Sequence, residues 1–414
     1  MRLKTLFLIL ASLASAAVPH SAFIDERIAA AQAKIKASPA VADGYSDLAF
    51  ALARRARETE DPAYLAQAEA ALSTALKLDP KHFDARKARV IVRLEQQRYA
   101  DALEEATALN RQVPDDNLMY GLLCDANLAL GNYDAAEANA QRMLDMRQVN
   151  APGLERAARV REAIGFPDGA TEFWTSSFRL ISTGDSEERA YISTQLARVA
   201  RERGRLDEAE RNCLQALTLE PDYPAALLQL ARIQLDLAKA SAAVDTLKKR
   251  LSEGESPTAE YWLAIALEAE GKIQESEQAG RTFMKLARQS VSKEANANVL
   301  LIRYLAAHGK AAEAVAIGRE AVAKRHDIET EDAYALALSQ AGEQKEAQIQ
   351  IAAALKPGIK NAEYFYDAGL IAKKNGDRTA AADYFRKTLE ANANSRYAAL
   401  AIQELSAGGP VPAK

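Results

Sequence analysis

Apolar residues recur along this chain with the three- and four-residue spacing of an amphipathic helix. In one clear stretch, four positions share a single helical face: Ser193, Leu196, Ala197 and Ala200. After Gly204, a second run carries small residues on one face: Ala209, Cys213 and Ala216. Small residues let two helices approach closely. The pattern therefore predicts an antiparallel helical pair whose apolar faces need neighbouring pairs for burial.

Turn residues repeat along the chain at a nearly constant interval. Glycines that end helical runs are found at Gly131, Gly165, Gly204, Gly271, Gly309, Gly342 and Gly376. Successive gaps are 34, 39, 67, 38, 33 and 34 residues, and the long gap spans two intervals, with Ala238 in place of the missing glycine. Pro80 and Pro114 are also 34 residues apart. A fixed period of this length is typical of a helical repeat protein.

The repeating unit resembles the tetratricopeptide repeat family, whose 34-residue pattern has large and small apolar residues at set positions. The last unit fits best, with Phe365, Ala368, Gly369, Ala372, Gly376, Ala381 and Phe385. The resemblance implies an all-α, right-handed superhelical solenoid over residues 42–393. We divide it into ten units: 42–80, 83–114, 117–150, 151–184, 190–221, 224–255, 257–290, 295–326, 328–359 and 362–393.

Segments outside the repeats are predicted to cap the solenoid, because its terminal units need a polar outer face. We expect an N-terminal capping helix within 22–41 and a C-terminal one within 394–407, with Ser395 as its N-cap residue. Residues 408–414 are expected to be a disordered tail. Inside the first unit, Pro62 must interrupt the helix.

The N-terminus reads as a signal peptide over residues 1–17. Arg2 and Lys4 precede an apolar run from residue 6 to 13, and the small residues Ala14-Ser15-Ala16 follow. An uncleaved anchor is the alternative, although the run is shorter than the roughly 20 residues that a spanning helix needs. No cysteine lies near the cut, which disfavours a lipoprotein. We expect a periplasmic or secreted protein with no integral membrane segment after cleavage.

Charge and cysteine content narrow the possible partners. The formal charge is -4 and the pI is about 5.8, whereas nucleic-acid-binding domains are usually strongly basic. Nucleic acid is therefore not an expected partner. Cys124 and Cys213 lie far apart in the sequence, and residues so distant do not meet in an extended solenoid. We predict two buried, unpaired thiols.

Catalytic and metal-binding motifs are not apparent, so we predict no enzyme, no cofactor and no metal. The three histidines that remain after the predicted cleavage, His82, His308 and His326, lie beside inferred helix ends and form no i, i+4 ligand pair. Trp174 and Trp262 have the spacing of core residues. Paired carboxylates for acid–base chemistry need a cleft, which a solenoid lacks unless something folds into its groove.

A candidate binding stripe follows from the family resemblance. In this family the residue after the second small core position of the first helix faces the concave groove, and here that position holds Arg159, Arg198, Arg232 and Arg303. Tyr191 and Tyr261 are expected beside them. Such a stripe would bind an acidic, carboxylate-bearing segment. Alternatively, the arginines pair on their own helices with Glu155, Glu202 and Asp236.

Two functions remain open from the sequence. The resemblance implies a non-enzymatic protein-interaction scaffold of the periplasm or cell envelope, with a peptide or a helix of a partner in the concave groove. The alternative is an accessory component of an envelope polysaccharide or surface-polymer export machine. An aromatic-rich groove would favour glycan contact, and aromatic residues make up 6% of the chain.

Overall fold

A computed structural model describes residues 22–147, 149–290 and 299–407. The predicted signal peptide and the predicted C-terminal tail lie outside these residues. Within the described ranges the chain forms ten antiparallel helical pairs flanked by one single helix at each end. The prediction of an all-α solenoid of about ten units plus capping helices is confirmed.

The helices follow one another with short connections. Those of the N-terminal half are α1 (Ala22–Ala37), α2 (Ala42–Thr59), α3 (Ala63–Leu78), α4 (Phe83–Glu95), α5 (Tyr99–Gln112), α6 (Asn117–Leu130), α7 (Tyr133–Met146), α8 (Ala151–Ala163), α9 (Pro167–Leu180), α10 (Ser186–Glu202) and α11 (Leu206–Leu219). Those of the C-terminal half are α12 (Pro224–Asp236), α13 (Ala240–Ser252), α14 (Pro257–Ala269), α15 (Ile273–Ser290), α16 (Val299–Ala307), α17 (Ala311–Val322), α18 (Ile328–Ala341), α19 (Gln344–Leu355), α20 (Ala362–Lys374), α21 (Arg378–Ala391) and α22 (Arg396–Ala407).

Small residues between the helices of each unit hold the pair together. In the fifth unit, Ala197 on α10 and Ala209, Cys213 and Ala216 on α11 are all 0% exposed. A methyl or thiol at these positions lets the two helices approach closely while their apolar faces leave water. Cys124 occupies an equivalent buried slot on α6, and both cysteines are free thiols as predicted.

Helix boundaries follow the turn and capping residues of the sequence. Pro62 precedes α3, and α2 ends three residues earlier with Glu60 in the left-handed region at φ 53°. Ser395 caps α22 as predicted, because its Oγ accepts a hydrogen bond from the Ala398 N–H at 3.1 Å. These local signals set where each helix starts and stops.

The superhelix winds tightly enough for successive turns to touch. We call the segment between the two helices of a unit its intra-unit turn, and the segment after its second helix the inter-unit loop. The intra-unit turn of one unit contacts the inter-unit loop five units later, so the contacting residues are 190 to 196 positions apart. These contacts form a turn-to-turn seam.

Main-chain groups form many of the hydrogen bonds in this seam. The N–H of His326 donates to Leu130 O at 3.0 Å, and the N–H of Ile328 donates to the Tyr133 hydroxyl at 2.9 Å. Two units further along, the side-chain amide of Asn394 donates to Gly204 O at 2.8 Å. Loop N–H and C=O groups that an open solenoid leaves to water thus have partners within the protein.

The first unit joins the seam through an ion pair. Arg250 Nη2 at the end of α13 lies 2.6 Å from Glu60 Oε2, and only 3% of the arginine side chain is exposed. A buried guanidinium needs such a partner, since burial without one is costly. The concave groove is therefore enclosed by the superhelix itself. The expectation that a solenoid has no cleft is wrong for this chain, because its own turns close over the groove.

Two glycines test the seam directly. Gly165 and Gly342 both occupy intra-unit turns with φ near +85° and +90°. A Cβ on Gly165 would overlap Gly358 O across the seam, whereas a Cβ on Gly342 has no neighbour within 4 Å. Gly342→Ala should lower the free energy of unfolding by about 1–2 kcal/mol through backbone strain alone. Gly165→Ala should lower the free energy of unfolding by about 1–3 kcal/mol more than Gly342→Ala does, because its Cβ overlaps Gly358 O.

Urea titration followed by circular dichroism measures both costs. Because each variant replaces a glycine of the same conformation with the same residue, the difference between them isolates the seam contact. Equal destabilisation of the two variants would contradict a closed seam at Gly165.

Candidate functional site

The first helices of the units face the superhelix axis and enclose a chain of cavities. The first cavity, of about 480 Å³, lies between α2, α8 and α10, and it shares the walls Tyr99 and Arg159 with a second of about 390 Å³. The second shares Arg198 with a third of about 350 Å³. This third space, which we call the Arg232 cavity, adjoins a fourth of about 480 Å³ through Tyr261. Together they form an axial channel.

Three of the four predicted groove arginines are paired with carboxylates of other units. Arg159 Nη1 lies 2.7 Å from Asp125 Oδ1, and Arg198 Nη2 lies 2.9 Å from Glu162 Oε2. In each of these two pairs the carboxylate comes from the preceding unit. The stripe is therefore a ladder of ion pairs that joins neighbouring first helices.

Arg303 is the most thoroughly neutralised of these arginines. Its Nη1 lies 2.8 Å from Asp367 Oδ2 and 3.1 Å from Glu363 Oε1, and it also hydrogen-bonds Asp332. Burial raises the pKa of Asp367 to about 6 despite the arginine. This cluster ties the eighth unit to the ninth and tenth.

The sequence-based alternative of pairing within one helix is only partly right. Arg198 does approach Glu202 at 3.6 Å. Arg232 does not pair with Asp236, because Arg201 takes that carboxylate at 3.0 Å. The main partners come from other helices, since the channel wall brings successive first helices side by side.

Arg232 differs from the other three arginines. Among the described residues, no carboxylate forms an ion pair with it, and its Nε is buried without a hydrogen-bond partner. Its guanidinium carbon lies 4.7 Å from the centre of the Trp262 ring, a cation–π contact. Burial, with the nearby positive charge of Arg201 in second place, lowers the pKa of Arg232 to about 10. The carboxylates of Glu363, Glu202 and Asp236 act on this pKa in the opposite direction, and none of them forms an ion pair with Arg232. An anion that entered the cavity would bind to this guanidinium.

The predicted tyrosines both lie on the channel wall. Tyr191 lines the first cavity, where its ring packs edge-on against Trp174 at 6.0 Å and lies under Arg57 at 4.8 Å. Tyr261 lines the Arg232 cavity and packs edge-on against Trp262 at 5.4 Å. Trp262 is buried as predicted for a core residue, yet its ring also forms part of this cavity.

Sequence reasoning missed a cluster of ion pairs across the channel, which we call the α2–α10 cluster. Arg54 on α2 binds Asp185 and also lies 2.9 Å from Glu187 Oε2, while Arg57 Nη2 lies 2.8 Å from Glu188 Oε2. Arg54 follows the small core residue Ala53, which is the position that identified the other groove arginines, so the same rule extended to the first unit would have found it. Its partners, 131 and 133 residues away, leave no local signal.

An unusual carboxyl group lies in the same cluster. Glu58 on α2 is 6% exposed, and burial together with the negative charge of Glu187 raises its pKa to about 8. Arg54 and Arg55 oppose this shift without cancelling it. Glu58 therefore carries a proton near neutral pH, which keeps the cluster from collecting another negative charge.

Comparison with known proteins places the chain in a family. Models of the tetratricopeptide repeat match residues 50–117, 88–155, 200–268 and 362–395, which together are about half of the chain. The chain belongs to the tetratricopeptide repeat family, whose repeats mediate protein–protein interactions. No curated protein sequence matches it.

Three solved structures are similar to this chain at low sequence identity. PilW, described as a widely conserved type IV pilus biogenesis factor, is 15% identical with a TM-score of 0.43, over 51% of this chain and 96% of PilW. PilF of Pseudomonas aeruginosa is 18% identical with a TM-score of 0.33, over 70% of this chain and 96% of PilF. MamA is 20% identical with a TM-score of 0.33, over 40% of this chain and 95% of MamA. These similarities concern the fold alone.

The part of the chain that the structure describes contains neither a metal-binding cluster nor a membrane-spanning helix. Within residues 22–147, 149–290 and 299–407, no group of three or more His, Cys, Asp or Glu side chains is arranged to hold a metal ion. None of the helices in these ranges has the length and the hydropathy needed to cross a bilayer.

The raised pKa of Glu58 predicts a pH-dependent stability. A buried acid whose folded pKa is about 8, against an ordinary 4.5, binds its proton more tightly in the folded protein. The contribution of this group to the free energy of unfolding is fully present at low pH and is lost as the pH rises from about 5 through 8. Glu58→Gln keeps the neutral form, so its urea midpoint should fall less between pH 5 and pH 8.5 than that of the wild type.

Glu69→Gln, on the exposed face of α3, serves as the matched control and should retain the wild-type pH dependence. If Glu58→Gln loses as much stability over this pH range as the wild type does, Glu58 is not the group that titrates.

Proposed function

We propose that this chain is a non-enzymatic protein-interaction scaffold of the bacterial periplasm or cell envelope, and that its axial channel holds an extended, carboxylate-bearing segment of a partner protein. The unpaired guanidinium of Arg232 is the observation that carries this proposal. Three other arginines at the same position of their units already have carboxylates. Arg232 has no such carboxylate, so a carboxylate of a ligand can bind to it.

The chemistry of the Arg232 cavity suits a carboxylate. Guanidinium presents two parallel N–H donors, which match the two oxygens of a carboxylate. The Trp262 ring holds the guanidinium plane from one side, so few rotamers need to be lost on binding. A C-terminal carboxylate or an Asp or Glu side chain of the partner would complete the ladder that Arg159, Arg198 and Arg303 form within the chain.

The size of the channel favours an extended segment over a helix. A helix with its side chains is about 10–12 Å across, whereas the Arg232 cavity has a volume of about 350 Å³. The α2–α10 cluster also bridges the channel at its N-terminal end. A helix would have to break these ion pairs, while a chain of two or three extended residues need not.

Export to the envelope is supported by the N-terminal segment alone. A charged start, an apolar run of signal-peptide length and a small-residue cleavage site precede α1. On this proposal the mature chain begins near Ala17 or Val18, and it meets its partner outside the cytoplasm.

A glycan of an envelope export machine is the second candidate ligand. The observation that favours it is the set of aromatic side chains in the Arg232 cavity: Tyr261, Trp262, Tyr364 and Tyr397. Uronic acids of such polymers also carry carboxylates. We prefer the protein ligand, because Trp262 already stacks on Arg232 and Tyr397 already hydrogen-bonds Glu363 at 2.6 Å.

Photocrosslinking in cells tests this proposal. A benzoylphenylalanine at Leu300, which lines the Arg232 cavity, should capture a discrete protein, whereas the same group at Leu214, 52% exposed on α11, should not. Arg232→Gln should reduce the capture at Leu300 by at least about tenfold, since it removes the partner of a desolvated charge. Arg386→Gln, at an exposed arginine on α21, is the matched control and should leave capture unchanged.

The captured material distinguishes the candidates. A protease-sensitive adduct supports the scaffold, and an adduct that resists protease but yields to glycosidase supports the polymer ligand instead. Equal capture in the Arg232→Gln and wild-type proteins would overturn the assignment of the cavity. The intact mass of the recovered chain tests export. A mass that still includes residues 1–17 would contradict cleavage.

A further inference from the structure

The seam leaves the intra-unit turns uncovered at the C-terminal end of the superhelix and the inter-unit loops uncovered at its N-terminal end. The intra-unit turns of the third, fourth and fifth units are covered by loops five units later. The turns of the last four units have no such cover, because a Cβ on any of their glycines would have no described atom within 4 Å: Gly271, Gly309, Gly342 and Gly376. We call these four turns the turn edge.

The opposite edge is uncovered at the N-terminal end and is apolar. The second helix of each of the first four units ends at or just before a large apolar residue that is exposed: Leu78 at 42%, Val113 at 39%, Val149 at 70% and Leu180 at 44%. Among the loops that the structure describes, the seam covers those of the sixth, eighth, ninth and tenth units. We call the first four loops the loop edge.

The single flanking helices also have the form of half units. Helix α22 packs on α20 and α21 as the first helix of a further unit would, and α1 packs on α2 as a preceding second helix would. Ile402 is 53% exposed on α22, and α1 exposes the small residues Ala29, Ala30 and Ala33. An α22 from one copy and an α1 from another could therefore make one complete unit.

We propose that copies of this chain associate head to tail, so that the turn edge of one copy seats on the loop edge of the next and the seam continues across the junction. The occupant of the loop edge is a second copy because the seam inside the chain already joins these two kinds of edge. Four uncovered turns meet four uncovered loops, which buries the four apolar side chains of the loop edge.

The five-unit offset of the seam sets the register. The hybrid of α22 and α1 takes the eleventh place, so the seventh unit of one copy meets the first unit of the next. In this register, exposed charges of opposite sign come together at three of the four contacts: Lys272 with Asp79, Lys310 with Asp115 and Glu343 with Arg147. Because the two edges differ, the contact is heterologous and extends into open chains rather than closed dimers.

Complementary edge variants test the proposal. The first, Leu78→Asp with Val113→Asp, disables the loop edge, and the second, Ile273→Asp with Lys310→Asp, disables the turn edge. By analytical ultracentrifugation the wild type should show concentration-dependent species beyond the monomer, and each variant alone should be monomeric. An equimolar mixture of the two should form a one-to-one dimer, because each variant retains the edge that the other lacks.

A matched control and a rescue make the outcomes decisive. Leu214→Asp with Ile349→Asp changes two exposed apolar residues away from both edges and should associate as the wild type does. Adding Asp115→Lys to a Lys310→Asp single variant should restore association that the single variant has lost. Circular dichroism confirms that each variant is folded.

Three results would overturn the proposal. The first is a wild type that stays monomeric at all concentrations. The second is a turn-edge variant that still dimerises, because the interface would then join two loop edges. The third is a mixture of the two edge variants that remains monomeric. Since no edge variant touches Arg232 or its cavity, these results are independent of capture at Leu300.

Discussion

Contact between successive turns of the superhelix is the constraint on which this structure depends. Backbone groups of the inter-unit loops, which water would satisfy in an open solenoid, here bond to intra-unit turns five units away. A repeat protein usually owes its stability to nearest-neighbour interfaces alone. In this chain the seam adds contacts at 190 residues and more, so that distant units depend on one another.

Closure changes the character of the concave groove. Side chains that an open groove would present to water face each other across a channel, where charges need partners. The arginine ladder and the α2–α10 cluster are the result. Arg159, Arg198 and Arg303 each pair with a carboxylate from another unit, whereas Arg232 has no such partner. For that reason the cavity around Arg232 is the candidate binding site.

Local pattern was enough to predict the units of this fold but not their closure. Glycine and proline spacing predicted ten helical pairs, and the small residues at Ala197, Ala209 and Cys213 indicated which faces meet. The family resemblance, not the spacing, implied that Arg159, Arg198, Arg232 and Arg303 face the concave groove. Superhelical pitch, however, is the sum of small rotations at many interfaces. For that reason the pairing of Arg54 with Glu187, and the contact of Gly165 with Gly358, could not be predicted from spacing.

The amide of His326 reports on closure most directly. Its N–H donates to Leu130 O at 3.0 Å across the seam, although the residue lies in an inter-unit loop with an exposed side chain. In hydrogen–deuterium exchange, a closed superhelix predicts that this amide exchanges as slowly as those inside helices. In the monomer, exchange as fast as that of Asp115, in a loop that the seam within the chain does not cover, would contradict it and leave the groove open.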